Sequence, residues 1–224
     1  MDRALIAAAA VVFCCSPAAA QPRTDYSKVE IKTTDLGHGV YLLGWPGGDS
    51  LVLTGDDGVL RVDASVPQMF DHIKAAIAKV SDKPIRFVIN THAHADHFGG
   101  NEALAKAGAL IIAHDNVRVR MVKGQYIAAF RQTIPPSAPG ALPVVTYADQ
   151  LTIHFDGETV ELIHSPLAHT DSDSLVHFAR ADVIHASGTF SPGQTYPFFD
   201  LSSGGSLAGT IAAEAKILCT LRPI

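Results

Sequence analysis

The stretch NTHAHADHFGGN, residues 90 to 101, constrains this chain more than any other part of the sequence. Three of the chain's 11 histidines, His92, His94 and His97, fall within six residues of it, with Asp96 among them. The stretch directly follows IRFVIN, a continuous apolar run that is typical of a buried strand. Since loops at strand ends often carry chemistry, these side chains should lie at the mouth of a sheet.

The spacing of these side chains predicts a metal site. In an extended loop, His92 and His94 can point their imidazoles to the same side and bind one ion. Zinc suits imidazole nitrogen and takes three protein ligands at a catalytic site, which leaves the fourth position for water. Asp96 and His97 point elsewhere and are candidates for a second ion. A lone histidine is more often structural, but four such groups followed by two glycines favour metal binding.

The composition is that of an ordinary globular protein. The chain has 224 residues, of which 47% are hydrophobic and 17% charged, with a net charge of −5. A core of useful size is therefore within reach. The sequence contains no run of lysine and arginine, which argues against nucleic acid as a partner. We expect a small-molecule substrate, and the oligomeric state cannot be read from the sequence.

The first 20 residues have the layout of a secretory signal peptide. Arg3 precedes an apolar run from Ala4 to Phe13, and Ala18-Ala19-Ala20 supplies a cleavage site. A membrane anchor is disfavoured, because a bilayer span needs ~20 apolar residues. We therefore expect a periplasmic or secreted protein, without a membrane anchor after signal removal, whose mature domain covers residues 21–224. Cys219 is the single cysteine of that domain, so no internal disulfide can form.

The rest of the chain alternates between strand and helix patterns. Val40 to Ala64 predicts a β-meander, and Ser65 with Gln68 predicts a capping box that opens a helix. Helices are also predicted at 102–107, from about 115, and at about 206–218. Further strands are predicted at ALIIAH, LTIHF, ETVELIH, SLVHFA and DVIHA. Two halves of this kind suggest two sheets packed face to face with helices outside.

The segment THAHADHFGG resembles the signature of the metallo-β-lactamase superfamily. The resemblance extends to Asp63, to DNVRVRM, AHTDSDSLVHF and YPFFDLSSGGS, and so to most of the chain between Val40 and Leu218. It implies an α/β fold, an αββα sandwich of two mixed sheets with helices outside. It also implies a metal-dependent hydrolase.

The resemblance also assigns ligands residue by residue. His92, His94 and His169 match the first metal site, and Asp96 and His97 match two ligands of the second. His164 does not align and is interpreted as a strand residue. Asp63 is interpreted as an acceptor that holds backbone amides or a ligand histidine. Asp173 is interpreted as a loop cap rather than a ligand.

Two departures from the family pattern bear on the second metal. Where the related pattern has a bridging aspartate, this chain has Gly188, preceded by Ser187. The family also supplies a histidine beyond the last helix, which has no match before Ile224. We therefore expect a domain that is incomplete at its C-terminus and binds one zinc ion, with the second ion in doubt.

Three functions follow from this reading. The first is a zinc hydrolase that attacks the carbonyl of a β-lactam, lactone, ester or thioester with metal-bound hydroxide, with Asp96 as the catalytic residue that orients water or acts as general base. The second is a non-catalytic metal-binding remnant. The third, an iron-dependent sulfur dioxygenase, is disfavoured because its iron uses the carboxylate that Gly188 lacks. Trp45 is a candidate for the substrate groove, although a packing role is equally compatible with the sequence.

Overall fold

The computed structural model describes residues 25–46, 48–191 and 196–221. The predicted signal peptide, residues 1–20, lies outside the described residues. In the part of the chain that is described, no helix combines the length and the apolar character needed to cross a bilayer.

The larger sheet carries the motif loop at one end of its strands. Within the described residues it has seven strands in the order β1-β2-β3-β4-β5-β6-β9. Neighbours from β1 to β4 are antiparallel, whereas β4, β5, β6 and β9 are parallel, so this sheet is mixed. Its strands are β1 (Lys32–Gly37), β2 (Val40–Trp45), β3 (Gly48–Gly55), β4 (Gly58–Val62), β5 (Ile85–Asn90), β6 (Leu110–His114) and β9 (Val145–Tyr147).

A smaller sheet packs against the larger one. It consists of β10 (Gln150–Phe155), β11 (Glu158–His164), β12 (Ser174–Phe178) and β13 (Val183–His185). The sequence predicted two mixed sheets, but this one is antiparallel throughout, since short turns and the 165–173 loop join consecutive strands. A separate hairpin is formed by β7 (Gln125–Ile127) and β8 (Gln132–Ile134).

The main core lies between the two sheets. Strand residues alternate in direction, so each sheet buries one row of apolar side chains in the interface. This cluster includes Leu60, Val62 and Ile89 from the larger sheet, and Leu162 and Phe178 from the smaller one. The interface fixes the two sheets relative to each other, and with them the loops that carry functional side chains.

Four of the five described helices pack beside the larger sheet, and the last one packs on the 165–173 loop. The five helices among the described residues are α1 (Phe70–Ile77), α2 (Ala95–Phe98), α3 (Asn101–Lys106), α4 (Asp115–Lys123) and α5 (Leu207–Thr220). Ile73 and Ile77 of α1, together with Met69 just before the helix, are buried against Leu43, Val52 and Val59 of the sheet. Ser206 caps α5 by accepting from the amide of Gly209 at 3.0 Å.

The start of the first helix differs from the prediction. Ser65 makes no capping box: its φ is +60°, its carbonyl accepts from the amide of Gly100 at 3.1 Å, and a 3-10 turn at Pro67–Met69 leads into α1. The sequence analysis also missed β1, β9 and the β7–β8 hairpin. These strands are short or rich in polar residues, so no apolar alternation marks them.

Candidate metal centre

Three imidazoles converge at the carboxyl end of β5. His92 and His94 lie on the loop that follows this strand, and His169 lies on the loop between β11 and β12. His94 Nδ1 is 3.1 Å from His92 Nε2 and 3.0 Å from His169 Nε2, and one nitrogen of each ring lies within 4.8 Å of the others. Tetrahedral zinc with Zn–N bonds of about 2.0–2.1 Å spaces its ligand nitrogens about 3.3 Å apart. The three nitrogens therefore fit a single ion.

The second nitrogen of each ring is held by the protein. His169 Nδ1 donates to the carbonyl of Phe198 at 2.5 Å, and His94 Nε2 donates to Asp200 Oδ2 at 3.1 Å. His92 Nδ1 lies 3.1 Å from Thr91 Oγ1. Since a carbonyl or carboxylate only accepts, the protons of His169 and His94 are placed away from the cluster. The lone pairs of Nε2 in His169 and Nδ1 in His94 are thereby left for a metal.

Burial keeps these rings neutral. Desolvation lowers the pKa of His92 well below its ordinary value, and the neighbouring histidines lower it further. Burial likewise lowers the pKa of His94, against the opposing effect of Asp200, and lowers the pKa of His169 to about 4. Neutral imidazole is the form that binds metal, so the site is electrostatically prepared at neutral pH.

Asp96 and His97 lie beside this cluster, on α2. His97 Nδ1 donates to Asp63 Oδ2 at 2.7 Å, and His97 Nε2 is 3.4 Å from Asp96 Oδ2. Burial opposes charge on His97, but Asp63 and Asp96 outweigh it and raise its pKa well above the ordinary value. Burial raises the pKa of Asp96 and the hydrogen bond from His97 lowers it, and the net effect is a pKa below its ordinary value. The role of the pair as ligands of a second ion stays a prediction.

Asp63 organises the motif loop. It lies just after β4 with a φ of +62°, and its carboxylate accepts from the amide of Thr91 at 2.8 Å and from Thr91 Oγ1 at 2.8 Å. The same carboxylate accepts from His97. The interpretation of Asp63 as an acceptor for a backbone amide and a nearby histidine is confirmed.

Ser187 and Gly188 lie next to the histidine cluster. Ser187, which has a φ of +48°, places its hydroxyl 2.7 Å from Thr91 Oγ1 and 3.4 Å from His92 Nδ1. Gly188 faces the ring of His169: a Cβ at this position would fall 2.7 Å from its Cγ and Nε2. With this backbone, an aspartate at residue 188 would therefore displace the ring of His169.

The remaining candidates lie outside the cluster, as interpreted from the sequence. His164 ends β11, donates from Nδ1 to the carbonyl of Asp173 at 2.9 Å and stacks on His114 with ring centroids 3.7 Å apart. Asp173 caps its loop by accepting from the amide of Thr170 at 2.6 Å. Burial raises the pKa of Asp173 to about 7, although its hydrogen bonds with Thr170 oppose this rise.

A pocket of about 490 Å³ opens beside Asp96 and His97. Its walls come from β2–β3 on one side and from β13 and the following turn on the other. Asp49 and His185 both line it and contact each other, with His185 Nε2 3.2 Å from Asp49 Oδ1. Trp45 lines the pocket and also packs on the cluster beneath α1, so its packing role is confirmed and its role in a substrate groove stays a prediction.

Sequence reasoning missed four residues that shape this site: Asp200, Phe198, Asp49 and His185. Asp200 and Phe198 belong to the segment YPFFDLSSGGS, which carried part of the family resemblance but no assigned role. Their contacts with His94 and His169 join distant parts of the chain. Only the packed fold reveals them.

Residues 43–200 match the family model described as Metallo-beta-lactamase superfamily. This match covers more than half of the chain and includes the motif loop and His169. The chain belongs to the metallo-β-lactamase superfamily. The predicted family and fold class are thereby confirmed.

Solved structures of the superfamily share the fold of this chain. A metallo-β-lactamase with a HARLDQ motif from Cronobacter sakazakii superposes with a TM-score of 0.70 at 22% identity, covering 94% of this chain and 78% of that one. The FEZ-1 metallo-β-lactamase of Legionella gormanii gives 0.67 at 15% identity, covering 86% of this chain and 77% of that one. At these identities the likeness establishes the fold alone.

One curated relative is named for a different activity. The 2,4-dinitroanisole O-demethylase subunit alpha of Nocardioides sp. (strain JS1661) is 27% identical over 151 residues, which span 66% of this chain. The matched segment covers 42% of that relative.

Proposed function

We propose that this member of the superfamily is a zinc-dependent hydrolase that attacks the carbonyl of a small exported or environmental substrate, such as a β-lactam, lactone, ester or thioester. The carrying observation is the cluster of His92, His94 and His169, whose three nitrogens face one point while their other nitrogens are held by the protein. The predicted signal peptide supports action in the periplasm or outside the cell.

Zinc held by three imidazoles lowers the pKa of bound water to about 7, and so supplies a nucleophile at neutral pH. The chain's own residues then have separate tasks. Phe198 and Asp200 orient two of the ligand rings. Asp96, whose carboxylate stays ionised beside His97 and lines the pocket, would accept a hydrogen bond or a proton from a water molecule held there.

The pocket beside the cluster fits a small substrate. A volume of about 490 Å³ lies within the usual range of about 300–1,000 Å³ for small-molecule sites. Trp45 and Phe190 offer apolar walls, whereas Asp49 and His185 offer polar contacts at one side. A substrate with an apolar ring or chain next to its reactive bond matches this lining.

Cleavage of an aryl ether is the second candidate. The relative named 2,4-dinitroanisole O-demethylase subunit alpha is 27% identical over 151 residues of this chain. Tyr26, Trp45 and Phe190 give the pocket three aromatic walls that can stack on an aryl group. This reading keeps the same zinc ligands and changes only the bond that is cleaved.

One experiment separates these functions. Purified mature protein is analysed for zinc and iron, and its turnover is measured with nitrocefin, an acyl-homoserine-type lactone, a p-nitrophenyl ester and 2,4-dinitroanisole. We expect about one zinc per chain and turnover of at least one carbonyl substrate. In the variant His94→Ala both zinc affinity and rate should fall at least about 100-fold, because loss of a direct ligand should exceed the roughly 10–100-fold effect of losing an outer contact.

The matched control is His154→Ala, which removes an exposed histidine of β10 and should change neither quantity. Zinc without turnover of any substrate would support the non-catalytic remnant. Iron in place of zinc would favour the dioxygenase, and cleavage of 2,4-dinitroanisole alone would favour the ether reading.

A further inference from the structure

A buried arginine lies on the opposite face of β4 from the main core. Leu60 and Val62 point into the core between the sheets, so Arg61 points outward, beneath the helices that cover the larger sheet. Its side chain is only 1% exposed. Among the described residues, neither Nε nor Nη2 of Arg61 has a hydrogen-bond acceptor.

A buried guanidinium that leaves Nε and Nη2 without acceptors is costly to a fold, so these two donors call for a partner. Asp63 interacts electrostatically with Arg61. Its carboxylate, however, already accepts hydrogen bonds from Thr91 and His97. Burial lowers the pKa of Arg61 to about 10, which still leaves it charged at neutral pH. The charge is therefore available to an anion.

Arg61 lines a cavity of about 310 Å³, which is at the lower end of the range for small-molecule sites. The walls around it are largely apolar and include Phe70, Ile77, Ile85 and Leu104. Lys74 and Lys83 also line it, against the single acidic residue Asp82, so the lining is formally cationic. A cavity that combines the charge of Arg61 with apolar walls suits a ligand that has both an anionic group and an apolar body.

This cavity is separate from the proposed metal centre. Its lining includes residues 81–85, which precede β5, whereas His92 and His94 follow that strand. None of its lining residues belongs to the pocket beside Asp96. A ligand here would not compete with a substrate for space.

We propose that the cavity beneath α1 binds a small organic monocarboxylate, with its carboxylate on Arg61 and its apolar body against Phe70, Ile77 and Leu104. The guanidinium supplies paired N–H donors that suit a carboxylate, and the apolar walls exclude simple hydrated ions. This inference is independent of the proposed function, since it concerns binding at a second site.

The test is a titration of the zinc-loaded mature protein with benzoate, followed by thermal unfolding and calorimetry. At a hundredfold excess over Kd we expect the unfolding midpoint to rise by at least about 5 °C. Benzamide, which has the ring without the charge, should give no shift. Inorganic phosphate, which has the charge without the apolar body, should give less than benzoate.

Two variants locate the binding. Arg61→Met keeps the volume and removes the charge, and should abolish the benzoate shift while leaving hydrolysis unchanged. Ala107→Phe fills the cavity from an exposed position, keeps Arg61, and should also abolish it. A shift that survives in both variants would place benzoate at the metal centre or elsewhere and overturn the proposal. An equal response to benzamide or to phosphate would overturn it too.

Discussion

His94 donates from Nε2 to Asp200 Oδ2 at 3.1 Å, although 106 residues separate them in the sequence. Asp200 is 1% exposed, and its other oxygen accepts from the amide of Ser202 at 3.0 Å. Burial raises the pKa of Asp200, but the hydrogen bonds from Ser202, Ser203 and His94 outweigh it and lower the pKa to about 2. A permanent carboxylate thus fixes which nitrogen of His94 can face an ion.

Replacing this carboxylate should weaken zinc binding without removing a ligand. In Asp200→Asn the amide oxygen can still accept from Ser202, but its amide group meets the N–H of His94 as a second donor. We expect zinc affinity to fall about 10–100-fold, the usual scale for such outer contacts. Chelator competition measures the change. Asp71→Asn, on the exposed side of α1, serves as the control, and equal affinities in both variants would refute the orienting role of Asp200.

Side chains added at residue 188 should harm the site. Gly188→Ala places a Cβ 2.7 Å from two ring atoms of His169, so the ring must move or the backbone must shift. Overpacking of this kind costs about 1–3 kcal/mol and should lower zinc affinity as well as the hydrolytic rate. Gly188→Asp should do the same, despite the added carboxylate.

The matched control for that change is Gly140→Ala. A Cβ at Gly140 would meet only Glu102 Cγ, at 3.9 Å, which is ordinary contact. Metal content and unfolding midpoint should stay as in the unaltered chain. A gain of zinc or rate in Gly188→Asp would instead show that the family's bridging carboxylate can be restored here.

The metal-free protein should lose stability as the pH rises above neutral. The pKa of His97 is raised well above 6.5, despite burial, by Asp63 and Asp96. The folded state therefore holds a proton that the unfolded state releases. This contribution is complete below about pH 6.5 and is lost as the pH rises through the folded-state pKa of His97. Urea midpoints at pH 6 and pH 9 should differ more in the unaltered chain than in His97→Gln.

His154→Gln is the control for this pH effect, because His154 is exposed on β10. Its midpoints should follow the unaltered chain at both pH values. If His97→Gln showed the same pH dependence as the unaltered chain, the charged state assigned to His97 would be wrong.

A bidentate ion pair should support the loop that carries His169. Arg120 on α4 donates from Nε to Asp171 Oδ1 at 2.7 Å and from Nη2 to Asp171 Oδ2 at 2.8 Å. Arg120→Lys keeps the charge but loses the paired geometry, at a cost of about 1 kcal/mol in the free energy of unfolding. Chemical denaturation measures this cost, with Arg86→Lys on the exposed side of β5 as control. Equal losses in both variants would contradict a specific role of the Arg120–Asp171 pair.

Local patterns predicted the parts of the site that lie close together in the sequence. The run IRFVIN and the spacing of His92 and His94 are local, so the strand and the motif loop followed from periodicity and ligand chemistry. His169 came from family resemblance, because no local pattern links it to residue 92. Asp200 has no local signature at all, since its role depends on the packing of two sheets.

The errors also have physical causes. The capping box at Ser65 was wrong because tertiary contact with Gly100 holds this residue at a positive φ, which no short-range pattern encodes. Arg61 interrupts an otherwise apolar strand, GVLRV, and the sequence alone assigned it no role. Among the described lysines and arginines, Arg61 alone is fully buried, and only the packed fold shows this.

The three histidines of the cluster belong to loops on different sheets: His92 and His94 extend from β5, and His169 precedes β12. An ion bound by all three histidines would link the two sheets, so part of its binding free energy would add to the free energy of unfolding. Removing the metal would then weaken the contact between the two sheets as well as abolish activity. Because the three histidines come together only when the two sheets have packed, tight metal binding requires both sheets to be in place first.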